Sequence, residues 1–330
     1  MSWGELYGAL TGYQAAAVLM TADRVGLIAA LAGDGGSTDD LIAATDASAR
    51  GVEVLLGSLA ALGIVREEAG IHRLTEAGAP LATAGPNGLA RLIRKEAVFY
   101  DLWGRLDRAV SSGDALLAPF AERARTDPAA AEAFLLVLND LAGRVAPDLV
   151  PAARLDGKRC LADVGGGGAA YALAFARAHP GLAVTIVEQP DVVPISLRAV
   201  AAAGADGRSV RVVAGDATRP GLDLHGERFD AALVSHVIHD LDPEAARAVI
   251  LGTASALEPG GVLLVHDVFR EHGAADPVIA LFDVMMFVEN PGGRTHRLAD
   301  VRAWLAEAGL PEPEEHDLGF TTLLRTEAPA

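Results

Sequence analysis

The chain has 330 residues, is 51% hydrophobic, and carries 44 acidic against 27 basic side chains, a net charge of −17. That composition supplies enough apolar material for two packed domains and excludes a disordered chain, while the acidic balance argues against non-specific binding to nucleic acid or an anionic membrane. One cysteine, Cys160, permits no internal disulfide, no stretch is long and apolar enough to span a bilayer, and the N-terminus lacks a basic-then-apolar leader, so the expected location is the cytoplasm.

In chain order, Leu6, Leu10, Tyr13, Ala17 and Met20 recur at helical spacing and predict a helix over about residues 4–31, stopped by Gly33 to Gly36. Ser37-Thr38-Asp39-Asp40 reads as a capped helix start. A second helix over 50–62 carries Val52, Leu55, Leu56, Leu59 and Leu62 on one stripe, and a hairpin follows at Ile64–Arg66 and Ile71–Leu74. Helix, turn, helix, hairpin is the order of a winged helix. Between Ser37 and Leu74, however, three arginines face six acids, and a groove-reading helix needs cations toward phosphate. A dimerisation module is the better expectation.

A helix over 88–110 gathers Phe99, Tyr100 and Trp103. Such a cluster is usually core, but it is also a candidate pocket wall. Asp127-Pro128 starts a further helix with Phe134, Leu138, Leu141 and Val145 as its expected buried side. Pro147, Pro151 and Asp156-Gly157 mark the expected boundary between a helical domain, 1–156, and a second domain, 157–330.

From Lys158 strands alternate with helices, the pattern of an α/β fold with a mostly parallel sheet. Strands are expected at 160–164, 182–187, 210–214, 229–235 and 262–265, with an antiparallel edge strand over 320–326. Between the first two lie four glycines, Gly165 to Gly168, then a helical segment; Glu188 follows the second. Strand, glycine turn, helix and terminal acid suit a nucleoside: amides at the turn face the ligand and the acid grips ribose hydroxyls. The third glycine of a dinucleotide fingerprint is missing, since Ala169 or Ala170 stands there. Ligands of such sheets sit beyond the carboxyl ends of the strands. Asp163, Glu188, Asp216, His236, His239, Asp240, His266 and Asp267 all fall at those ends, and His296 lies on a loop able to fold over them. Phe282, Met285 and Met286 share one helical face, followed by Val288; stripes of this kind are more often core than pocket, but they are candidates to meet an apolar acceptor.

The motifs DVGGGGAAY (163–171), VEQPDVV (187–193), VAGDATRP (213–220), VIHDLDPE (237–244), EPGGVLLVHDV (258–268) and NPGGRTHR (290–297) together resemble class I S-adenosylmethionine-dependent methyltransferases of the two-domain small-molecule family. That family includes plant caffeate-type O-methyltransferases and bacterial antibiotic-tailoring enzymes. The resemblance covers almost the whole chain. It implies a Rossmann-like catalytic domain behind a winged-helix domain that forms a homodimer and closes over the substrate. It also implies S-adenosylmethionine as methyl donor and a small-molecule acceptor. By the same resemblance, Gly165 and Gly167 lie under the methionine part of the donor, Glu188 binds the ribose, Asp216 reaches the adenine side, and Asp163 and Ser235 are further donor-binding positions. His239 matches the family's general base, a role suited to an ordinary imidazole near neutrality. Phe99, Trp103, Phe282, Met285 and Met286 are the expected substrate wall. Two acids flank the plant histidine; in this chain their positions align with His266 and with Thr295 beside His296.

That departure leaves two reactions open. One is metal-free O-methylation with His239 as base. The other is C-methylation of an α-keto acid, as the resemblance allows, through an Fe(II) or Zn(II) site made of His239, Asp240 and His296, a two-histidine, one-carboxylate set. A nicotinamide-dependent dehydrogenase also fits a glycine turn and an acid, and a ligand-sensing regulator also fits a winged helix; the VIHDL motif and the acidic hairpin region speak against them.

Overall fold

The computed structural model describes residues 1–218, 226–270 and 276–330. The chain forms two compact units, Met1–Gly104 and Arg105–Ala330.

In the first unit the expected N-terminal helix is three: α1 (Trp3–Thr11), α2 (Tyr13–Arg24) and α3 (Leu27–Leu31). The chain breaks at Gly12 and again at Gly26, whose φ of 83° is left-handed and ends the helical run. A capping box of Ser37 and Asp40 opens α4 (Thr38–Ala44), as the sequence indicates. Then come α5 (Ala49–Ala61), the hairpin β1 (Val65–Glu68) and β2 (Ile71–Leu74), and α6 (Ala90–Trp103). Val52, Leu56 and Leu59 of α5 pack with Leu27, Ile28 and Leu31 into the core of this unit; Leu62, expected on the same stripe, is exposed.

The second unit begins with α7 (Leu106–Ser112), α8 (Phe120–Thr126) and the long α9 (Pro128–Ala153). The helix expected over 88–110 is thus split between α6 and α7. Helix α9 runs through Pro147 and Pro151, where a boundary was expected. Each proline inside a helix costs about 3 kcal/mol. Here Ala146, Leu149, Val150 and Ala153 are buried against the sheet core with Phe175 and Leu161, and full burial of a Leu or Val contributes about 1.5–3 kcal/mol. The helix stops only at Arg154, in the left-handed region at φ 48°. Its buried face is also displaced from expectation: Leu138 and Leu141 are exposed, while Ala131, Leu135 and Val137 are buried.

Next follow β3 (Cys160–Val164), α10 (Ala170–Ala178), β4 (Ala183–Glu188), α11 (Val193–Ala202), β5 (Val210–Ala214), β6 (Phe229–Ser235), α12 (Pro243–Ser255), β7 (Leu257–Asp267), α13 (Pro277–Glu289), α14 (Leu298–Glu307), β8 (Glu314–Asp317) and β9 (Thr322–Glu327). They build one seven-stranded sheet in the order β5-β4-β3-β6-β7-β9-β8, parallel from β5 to β7. The last strand is antiparallel as expected but not at the edge: β9 lies between β7 and β8, and β8 is the edge. Alternation along β7 serves both faces. Val262 and Leu264 join the core under α10, and Leu263 and Val265 join the core under α12 and α14. Among the described residues, no helix is long and apolar enough to cross a membrane.

Candidate active site

The parallel strands deliver their carboxyl ends to one side of the sheet. At the end of β3, Gly165 takes φ +74°, and a Cβ there would lie 2.6 Å from Val237 Cγ2, so the chain turns sharply only without a side chain. Ala169 enters α10 at φ 67°, left-handed although it is not glycine; it stands where the fingerprint glycine is absent. Three side chains hold the turn. Glu188 Oε2 accepts from the Gly167 amide at 2.9 Å, Ser196 Oγ donates to the Gly167 carbonyl at 2.6 Å, and Asn139 Nδ2 of α9 donates to the Gly168 carbonyl at 2.8 Å. A Cβ on Gly168 would meet Asn139 at 2.2 Å, which explains the fourth glycine. Sequence reasoning passed over Asn139 and Ser196, because neither lies in the turn.

Asp163 is 2% exposed, and its Oδ2 has no partner. Burial, reinforced by the charge of Glu188, pushes its carboxyl up to about 7. Burial likewise raises Glu188, against the amides of Gln189 and Gly167. Two buried acids beside a glycine turn, one with an orphaned oxygen, suit a ligand with cationic and hydroxyl groups. S-Adenosylmethionine, with its sulfonium, amine and ribose, fits that set. Asp216, after β5, accepts from the Thr218 amide and hydroxyl at 3.1 and 2.6 Å; residues 219–220 of its motif lie outside the described residues.

The next strand end carries the titratable cluster. After β6, His236 takes φ +55°, a conformation that costs a non-glycine residue about 1–3 kcal/mol. This swings the chain into a short turn, Ile238–Asp240, that presents His239. His239 Nδ1 lies 2.6 Å from Asp267 Oδ1, and both residues are buried. Burial alone would lower the imidazole, but the Asp267 and Asp240 carboxylates overcome it and hold His239 up at about 9. Burial would likewise raise Asp267, but the His239 charge and hydrogen bond hold it below the usual carboxylate range. The Phe282 ring stands edge-on to His239 at 5.2 Å, and Phe320 stands edge-on to Phe282 at 5.4 Å. An imidazole oriented at Nδ1 by a buried carboxylate, beside an aromatic wall, can accept a proton at Nε2 in its neutral form, the carboxylate fixing the tautomer.

This geometry coincides with a family-wide match: the O-methyltransferase domain family matches residues 108–311. The chain belongs to the O-methyltransferase family. It is an S-adenosylmethionine-dependent O-methyltransferase acting on small molecules. The chain is similar to 3-hydroxy-5-methyl-1-naphthoate 3-O-methyltransferase of Streptomyces sahachiroi, at 28% identity over 92% of this chain and 88% of the relative. It is also similar to mouse acetylserotonin O-methyltransferase, at 30% identity over 80% of this chain and 72% of the relative. In fold it matches the solved structure of PigF with SAH at a TM-score of 0.86 and 22% identity, over 99% of this chain and 100% of that one.

The methyltransferase fold corrects several readings made from sequence. Metal-dependent C-methylation of a keto acid is not supported. His239 Nε2 and Asp240 Oδ1 are 3.5 Å apart, but His296 turns to the backbone: its Nε2 donates to the Ile238 carbonyl at 2.8 Å and its ring lies edge-on to Trp304. His296 braces the turn that carries His239. Asp240 accepts from Asn290 Nδ2 at 2.6 Å. The dehydrogenase and regulator readings give way to the family.

The acid beside His239 is Asp267, one residue past the position that the alignment assigned to His266. Strand alternation separates the two. His266 faces the α10 side, where its Nδ1 meets Ser235 Oγ and its Nε2 meets Thr321 Oγ1, both at 2.8 Å, with Tyr171 edge-on to the ring. Thr295, aligned with the second acid, instead bonds Asp283 at 2.5 Å through its hydroxyl. Ser235, expected at the donor, has its hydroxyl on His266. Of the expected substrate wall, Phe282 reaches His239, Met285 is half-buried and Met286 is buried. Phe99 and Trp103 belong to the first unit, Phe99 buried under Lys95 and Trp103 beside a groove of that unit.

Proposed function

We propose that the acceptor is a hydroxyl on a flat aromatic small molecule of secondary metabolism, with His239 removing the hydroxyl proton. The 2.6 Å bond between His239 and Asp267 carries this reading, together with the Phe282 and Phe320 rings beside it. The naphthoate and acetylserotonin named for two relatives are aromatic and agree with it. Bound S-adenosylmethionine supplies an electrophilic methyl group. The protein's share is positional: Asp163, Glu188, Asp216 and the glycine turn hold the donor, Phe282 orients the acceptor ring, and His239 takes the proton as oxygen becomes the nucleophile. The test is a methyl-transfer assay on hydroxynaphthoates, hydroxyindoles and aliphatic alcohols of similar size. Transfer to the aromatic hydroxyls and not to the alcohols is expected; the reverse order sinks the reading.

The enzyme is read as a cytoplasmic homodimer formed through its first unit. The single cysteine, which permits no internal disulfide, supports a reducing compartment. Helix α1 supports the dimer: none of its residues is buried, yet Trp3, Leu6, Tyr7 and Leu10 are 52–78% exposed. A nine-residue helix gains little stability alone in water, so an apolar face of this kind calls for a cover. The same unit carries an apolar groove of about 730 Å³ lined by Tyr13, Leu19, Leu92 and Trp103. A helix and a groove on one unit are the self-complementary parts that a two-fold pair needs. In sedimentation the parent is expected at twice the chain mass and a Trp3→Ser, Leu10→Ser variant at the chain mass; a monomeric parent overturns the dimer.

A further inference from the structure

Among the described residues, His236, His239 and Asp267 gather one potential ligand atom each within 4.8 Å of one another. The set differs from the one excluded above: it uses His236 and Asp267, not Asp240 and His296. Asp267 Oδ2 is the deciding atom. The residue is 1% exposed, its Oδ1 is engaged by His239 and the Val268 amide, and Oδ2 has no partner. A buried carboxylate oxygen without a donor is costly and invites one. His236 stands beside it, its ring edge-on to His239 at 5.6 Å and to His266 at 4.7 Å. His236 is the partly exposed member of the three and gives an ion its way in.

We propose that these three side chains form a binding site for a divalent transition ion of the Zn(II) type, and that the ion switches off methyl transfer. Two imidazoles and a carboxylate are a ligand set that Zn(II) takes at about 2.0–2.2 Å with a fourth position left to water. The three ligand atoms already lie within 4.8 Å of one another, so small side-chain movements close them around one ion. An ion there claims either the lone pair with which His239 takes a proton or the Asp267 carboxylate that orients the ring. Either loss removes the base. The switching half of the proposal rests on the reading of His239 as base; the binding half does not.

The full-length protein, stripped with a chelator, is titrated with Co(II), whose visible absorption reports a nitrogen- and oxygen-ligated ion, and then with Zn(II) in competition. The parent is expected to develop the band at one equivalent and to lose methyl transfer in step with Zn(II) occupancy. His236→Asn is the matched variant, because asparagine accepts the left-handed backbone at this position. It is expected to bind more than about 100-fold more weakly, beyond the cost of losing an outer-shell partner, and to keep its metal-free rate in Zn(II). S-Adenosylhomocysteine binding by both proteins confirms that the variant is folded. No band in the parent, or an undiminished band in His236→Asn, overturns the site. Binding in the parent without loss of methyl transfer overturns the switch. A band with no transfer to any aromatic hydroxyl in the metal-free parent upholds the site and sinks the acceptor reading.

Discussion

His239→Asn is expected to lower kcat for methyl transfer by about 10²–10⁴-fold, the range that a positioned general base contributes. Donor binding should stay near the parent value, because Asp163, Glu188 and the glycine turn arise from β3 and β4, whereas His239 stands on the turn after β6. Asparagine is close to imidazole in size and polarity, so the buried hydrogen bond to Asp267 is kept by its amide and the turn keeps its shape. Single-turnover transfer gives the rate, and S-adenosylhomocysteine titration by calorimetry gives donor affinity. If the rate falls by less than about fivefold, proton removal does not limit transfer, and positioning alone accounts for the catalysis. A parallel loss of donor affinity would instead show that the turn had collapsed and that the substitution acts on structure.

The parts legible in the sequence are those whose signal is local. The glycine turn, the alternation of strand and helix from β3 to β7, and the acid that ends β4 are each written within a few residues, and each stands at the strand ends where the pattern places it. What escaped depends on how distant segments meet. Asn139 holds the turn from a helix 29 residues upstream, and no local pattern marks one polar residue on an amphipathic helix. Pro147 and Pro151 read as a boundary because their helix-breaking cost is local, while the burial that offsets it is tertiary. The metal set of His239, Asp240 and His296 rests on ligand type and resemblance, and sequence spacing does not show whether three side chains converge. One backbone carbonyl, that of Ile238, claims His296. The His266 assignment shows the reverse case, in which a local rule held the answer. With period-two alternation, His266 and Asp267 must face opposite sides of β7. Leu263 and Val265 facing α12 and α14 put Asp267 on the side where the His239 turn lies.

Asp267→Asn carries the second large effect, and its direction separates two roles of the carboxylate. Burial by itself pushes His239 below its ordinary value; the negative charges of Asp267 and Asp240 raise it to about 9. In the parent the imidazole is therefore protonated below about 9, and kcat/KM should climb with pH up to that point. Removing the Asp267 charge leaves burial less opposed, so the climb should move to lower pH. If charge were all that mattered, the variant would become the faster enzyme near neutrality, because more of its imidazole is unprotonated there. Orientation opposes this. An amide can present its N–H to Nδ1 and fix the wrong tautomer, a change that costs about 10⁴-fold in a serine-protease triad. The expected result is thus a pH profile shifted downward and a plateau lower by about 10²–10⁴-fold. A profile that stays at about 9 would mean that another group sets His239. A shifted profile with an undiminished plateau would leave Asp267 only an electrostatic part. The stability record has the same sign: a histidine raised in the folded state contributes stability in full below about 6.5 and loses it as pH rises through about 9. Melting temperature should therefore decline across that window in the parent and decline less in Asp267→Asn, a readout independent of any acceptor.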